Sequence, residues 1–80
     1  MRTEEIDARV RDVLRLSFKT DVPSEGSFSR EDEPKWDSLK HVEMIFMLED
    51  EFQVQFAESD FARLTSVAEI VALVESKLAT

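Results

Sequence analysis

The chain is predicted to be all-α, a small four-helix bundle of three long helices and one short one, with a long loop between helices 1 and 2. Three stretches place their apolar residues at the 3.6-residue spacing of a helix buried on one side. One glycine and two prolines in 80 residues are too few turn-formers for a sandwich or barrel. A chain of 80 residues holds one core, so residues 1–80 are expected to form a single domain.

The first stretch carries Ile6, Val10, Val13, Leu14 and Phe18, one stripe of a helix. Thr3 is the expected N-cap, with Glu4, Glu5 and Asp7 in the first turn, where carboxylates suit the helix dipole. Arg9, Arg11 and Arg15 are assigned to the opposite face. The first helix therefore spans Thr3 to Phe18.

Residues 19–37 hold both prolines and the single glycine, Gly26, and read as a connection. Its length exceeds the roughly 12–15 residues of ordinary loops. Phe28 and Trp36 interrupt its polarity and are expected to tuck into the core and pin it.

The next helix is placed from Ser38 to Phe52, with Leu39, Val42, Ile45, Phe46, Leu48 and Phe52 at helical spacing. Met44 and Met47 widen that stripe beyond what a two-sided helix needs. Asp37 or Ser38 caps its start, and Pro34 keeps the helix from running in from the loop. Val54 and Phe56 form a short extended link. Glu58 to Leu64 make one or two turns with Phe61 and Leu64 facing inward. Ser66-Val67-Ala68-Glu69 is a capping box that opens the last helix, whose stripe is Val67, Ile70, Val71, Val74 and Leu78.

The net charge of −8 is uneven: residues 1–20 carry +1, residues 21–60 carry −9 and residues 61–80 are neutral. Such acidity excludes bare nucleic acid, whose phosphates reward Lys and Arg, and disfavours an anionic membrane surface. Cysteine is absent, which removes disulfides and thiolate chemistry. No apolar run approaches the roughly 18 residues of a membrane span and no signal peptide opens the chain, so a cytoplasmic protein is expected.

Several constellations are candidates for chemistry. Asp37 and Ser38 are ordinary capping residues. The same geometry exposes the Ser38 hydroxyl at a helix N-terminus, where a phosphate ester would meet free N–H groups and the positive end of the dipole. His41, the only histidine, shares a face with Ser38. A hydrolytic triad with Asp37 would need an oxyanion hole and a nucleophile elbow that so glycine-poor a chain does not offer, so His41 reads as a surface residue that tunes partner recognition. The triplets Glu31-Asp32-Glu33 and Glu49-Asp50-Glu51 lack the mid-loop glycine of a calcium site, and no metal is expected. Met44, Phe46 and Met47 are either core or the wall of a lipid pocket, and the residues alone leave both readings open.

The run Asp37-Ser38-Leu39, with Val42-Glu43 and Leu48-Glu49-x-Glu51-Phe52 behind it, resembles the acyl carrier proteins. So does the order of helix, long loop, acidic helix, short helix and final helix, from Glu4 to Leu78. The resemblance implies a non-catalytic carrier. Ser38 would receive a 4′-phosphopantetheine arm from coenzyme A through a phosphopantetheinyl transferase, with Asp37 and Leu39 flanking it. The arm would hold acyl or aminoacyl groups as thioesters for loading and processing enzymes of fatty-acid, polyketide or other specialised biosynthesis. Those enzymes would bring basic patches to a monomeric carrier, on a surface comprising Lys40, His41, Glu43, Glu49, Asp50 and Glu51. Val42, Ile45, Phe46, Phe61 and Leu64 would line an acyl pocket, with Phe46 shortening it in favour of a short or polar cargo.

The sequence departs from the family pattern beside the attachment site. Lys35 and Trp36 stand where a glycine and a small residue are usual, Lys40 stands at an often acidic position, and His41 is not the usual neighbour. These departures bear on recognition by housekeeping fatty-acid enzymes, and the Trp-Asp-Ser form looks more like carriers of specialised pathways. A D-alanyl-type carrier and an unmodified acidic helical interaction domain are the alternatives.

Overall fold

The computed structural model describes residues 1–79. Helix α1 spans Thr3–Phe18, α2 spans Ser38–Phe52 and α3 spans Val67–Leu78, with a six-residue 3-10 helix at Glu58–Arg63 before α3. This is the expected arrangement of three long helices and one short one. A further single 3-10 turn, Arg30–Asp32, lies inside the long connection and was not foreseen.

Helix α1 packs against both α2 and α3. Its stripe of Ile6, Val10, Val13, Leu14 and Phe18 is buried, facing Met44, Ile45, Leu48 and Phe52 of α2 and Val67, Ile70, Val71 and Val74 of α3. Among the described residues no helix is long and apolar enough to cross a membrane.

The long connection is folded onto this body. Phe28 and Trp36 are buried, as expected, and the Trp36 ring lies 4.8 Å from that of Phe18 and 6.5 Å from that of Phe28. Val22 is buried with them. The loop is also stitched to the start of α3: Arg30 N–H donates to the Thr65 carbonyl and Val67 N–H to the Phe28 carbonyl, both at 2.9 Å.

Two expectations about α1 need correction. Thr3 does not cap the helix; Arg2 occupies the cap position without a side-chain bond, and the Thr3 hydroxyl donates to Glu75 of α3 instead. Arg11 and Arg15 do not stand clear of the packed side of the helix. Arg11 is buried, and its guanidinium donates to Asp7 at 2.7 Å and to the carbonyls of Pro23 and Gly26 at 2.6 and 2.7 Å. Arg15 donates twice to the Val22 carbonyl, at 3.0 and 2.6 Å. These two side chains supply donors for loop carbonyls that lie outside any helix, which is why a face that reads as polar is partly enclosed.

The opening of α3 keeps half of the expected capping box. Ser66 Oγ accepts from Glu69 N–H at 3.1 Å, while the Glu69 carboxylate takes the Thr65 and Ser66 hydroxyls at 3.0 and 3.4 Å.

Candidate functional site

The site is the junction of the long connection with α2. Asp37 is the N-cap of α2, with its carboxylate accepting from Lys40 N–H at 2.9 Å and its carbonyl accepting from His41 N–H at 2.8 Å. Ser38 is the first residue of the helix and is exposed. The amides of Ser38 and Leu39 belong to the first turn, where no helical carbonyl can reach them. An exposed hydroxyl beside two such amides, at the positive end of a fifteen-residue helix, suits a negatively charged ester.

From Ser38 onward the turns of α2 sort the remaining candidates into two faces. Met44, Ile45, Leu48 and Phe52 point into the core. Leu39, Glu43, Phe46 and Asp50, three or four residues apart, form the opposite, exposed face. Leu39 is 69% exposed and Phe46 58% exposed, large values for apolar side chains. Lys40 stands beside this face with Nζ 3.6 Å from the Glu43 carboxylate.

Four of the expected site residues behave differently from their assignment. Phe46 does not line an interior pocket; one residue beyond Ile45 the helix has turned about 100°, which carries its ring to the solvent side. His41 is not a surface residue. It is buried, its Nδ1 accepts from Trp36 Nε1–H at 2.9 Å, and its Nε2 lies 2.7 Å from the Phe61 carbonyl oxygen. Glu51 accepts from Arg9 of α1 at 3.2 Å, so it faces that helix rather than the Leu39–Phe46 side. Glu49 is half-buried, with its carboxylate accepting from Phe56 N–H at 2.9 Å, and so helps fix the link that follows α2.

Of the other expected pocket residues, Ile45 and Leu64 are fully enclosed, while Val42 and Phe61 are half-buried. Two members of the loop triplet are spent on backbone capping. Asp32 accepts from Ser29 N–H at 2.9 Å, and the buried Glu33 accepts from Lys35 N–H at 2.8 Å. Among the described residues no cluster of three His, Asp or Glu side chains could hold a metal ion.

Sequence reasoning missed the contribution of Arg30, whose Nε donates to the Trp36 carbonyl at 3.1 Å and steadies the residue before Asp37. It also missed the Trp36–His41 pairing. The five-residue spacing of a buried tryptophan and the sole histidine was the available signal.

Comparison with known proteins agrees with this geometry. Residues 36–74, which begin two residues before Ser38, match the family model for a phosphopantetheine attachment site. The chain is 36% identical over 81 residues to an acyl carrier protein of Exiguobacterium sp. (strain AT1b), an alignment covering 98% of this chain and 100% of that protein. Family members of this kind carry 4′-phosphopantetheine on a serine and work with phosphopantetheinyl transferases and biosynthetic enzymes. With the helical arrangement, the matched segment and the near full-length relative in agreement, the chain belongs to the acyl carrier protein family.

Proposed function

We propose that Ser38 is the attachment residue and that the whole of residues 1–80 acts as one carrier domain for acyl or aminoacyl groups. The observation that carries this reading is the exposed Ser38 at the start of α2, capped by Asp37, within the matched segment. The residues fit the group. The hydroxyl is open to an incoming transferase, and the Ser38 and Leu39 amides can face a phosphodiester without any rearrangement of the helix. When attached, the arm supplies a terminal thiol able to hold cargo as a thioester. Asp37 fixes the first turn, Leu39 and Phe46 offer apolar contact to a docked enzyme, and Glu43 and Asp50 offer charge to its basic patch.

The reading extends to a cytoplasmic monomer that serves a specialised pathway rather than housekeeping fatty-acid synthesis. Lys35 and Lys40 support the specialised-pathway part of it, because they place positive charge beside the attachment residue.

The test is intact mass after incubation with coenzyme A, Mg²⁺ and a broad-specificity phosphopantetheinyl transferase. The expected result is a single phosphopantetheine adduct, absent from Ser38→Ala. No adduct with several transferases would overturn the carrier reading in favour of an unmodified interaction domain.

A further inference from the structure

Resting on the carrier reading of Ser38, we infer that His41 bars the seam between α2 and the 3-10 helix at Glu58–Arg63 and so determines which cargo this chain accepts. His41 lies one turn into the helix from Ser38 and is only 8% exposed. An indole N–H can only donate, so Nδ1 of His41 receives the Trp36 proton and carries none of its own. The proton of the neutral ring is therefore on Nε2, which donates to the Phe61 carbonyl at 2.7 Å. The ring thus ties three segments together: the loop before Ser38, α2, and the 3-10 helix twenty residues further on. The two rings lie edge to edge, inclined by 29° with centres 6.1 Å apart.

Ile45, one turn beyond His41 on α2, and Leu64, directly after the 3-10 helix, are both at 0% exposure. A chain passing inward from Ser38 to reach them would part α2 from the 3-10 helix. That separation breaks the His41–Phe61 bond and leaves a buried imidazole N–H without a partner, which an alkyl chain cannot replace. The route inward is closed by hydrogen bonds, not only by bulk. The cargo class that fits is therefore a short or polar acyl or aminoacyl group presented to solvent and to the enzyme, rather than a long alkyl chain stored in the core. Phe46, turned outward, does not contribute to this selection.

The experiment compares holo, acetyl and octanoyl forms, each checked by intact mass. Two readouts are used: melting temperature and the indole N–H cross-peak of Trp36, the only tryptophan in the chain. For the natural sequence all three forms are expected to melt within about 1 °C of one another, with the cross-peak unmoved. A buried chain of several methylenes would raise the midpoint by about 5 °C or more. In His41→Leu, which keeps apolar bulk but removes both bonds, the octanoyl form is expected to melt about 5 °C or more above its own holo form. Trp36→Phe, which drops one bond only, serves the same melting comparison if His41→Leu does not fold. A stabilised octanoyl form or a chain-dependent Trp36 signal in the natural sequence overturns the inference while leaving the carrier reading intact. So does the absence of any gain in the variants. Failure to form the Ser38 adduct at all overturns both.

Discussion

Arg11 is the residue whose role differs most from its composition class. It sits one turn before Arg15 on α1, yet its side chain is enclosed and spends three nitrogens on Asp7, Pro23 O and Gly26 O. The connection it holds has few carbonyl partners of its own, because Pro23 brings no donor and Gly26 adopts a left-handed turn at φ 85°. Arg11→Met keeps the apolar stem and removes the guanidinium, which isolates the hydrogen bonds from the packing. Both carbonyls belong to exposed residues, so water recovers part of the loss, and the expected cost is about 2 kcal/mol. For a chain of this size that is a fall of about 10 °C in melting temperature by calorimetry or circular dichroism. An unchanged midpoint would mean that the loop is held by Phe28 and Trp36 alone.

At the scale of elements, the helix ends carry the most specific expectation. Helices α1 and α2 both end on a non-glycine residue in the left-handed region, Lys19 at φ 52° and Gln53 at φ 55°. Glycine normally holds that place because a Cβ is strained there. Gln53 recovers something by donating to the Asp50 carbonyl at 2.6 Å, whereas the exposed Lys19 makes no comparable bond from its side chain to the helix end. Lys19→Gly should therefore stabilise the chain by about 0.5–1 kcal/mol, seen as a rise of several degrees in the thermal midpoint. The boundaries of these helices were legible in the sequence because apolar spacing, Asp37 and Ser66 mark them locally. The inward positions Ile45 and Leu64 were legible for the same reason. What was not legible depends on partners far along the chain. Phe61, whose carbonyl buries His41, is twenty residues away, and Pro23 and Gly26 lie twelve and fifteen residues from Arg11. A lone polar side chain in a one-dimensional pattern defaults to the surface, and only the closed loop shows which ones find partners inside. Phe46 failed in the opposite sense. The apolar spacing on α2 predicts one wide face, whereas the structure divides it into a core side and an exposed side.

For the whole molecule, the radius of gyration of 11.4 Å is close to the value of about 11.6 Å expected for a compact chain of this length. The long connection therefore adds little to its bulk, and the acidic middle of the chain is displayed on a body of 34 × 27 × 18 Å. That display is uneven where it matters most. Glu43 and Asp50 are exposed on the Leu39–Phe46 face, but Lys40 reaches Glu43 at 3.6 Å, and Glu49 and Glu51 are turned to the Phe56 amide and to Arg9. The exposed Lys40–Glu43 pair adds little to stability, so its consequence is for the field met by an approaching enzyme. Lys40→Asp removes one positive and adds one negative charge, taking the net charge from −8 to −10 and freeing Glu43. With a basic-patched housekeeping fatty-acid enzyme, the specificity constant kcat/KM for the loaded carrier should rise about two- to fivefold at low ionic strength. The gain should shrink as salt is added, because the screening length falls from about 30 Å at 0.01 M to about 8 Å at 0.15 M. A gain that persists unchanged in high salt would point to a contact made by the new side chain rather than to steering. Equal kinetics at low salt would show that partners read the apolar pair Leu39 and Phe46 on this face, and not its charge.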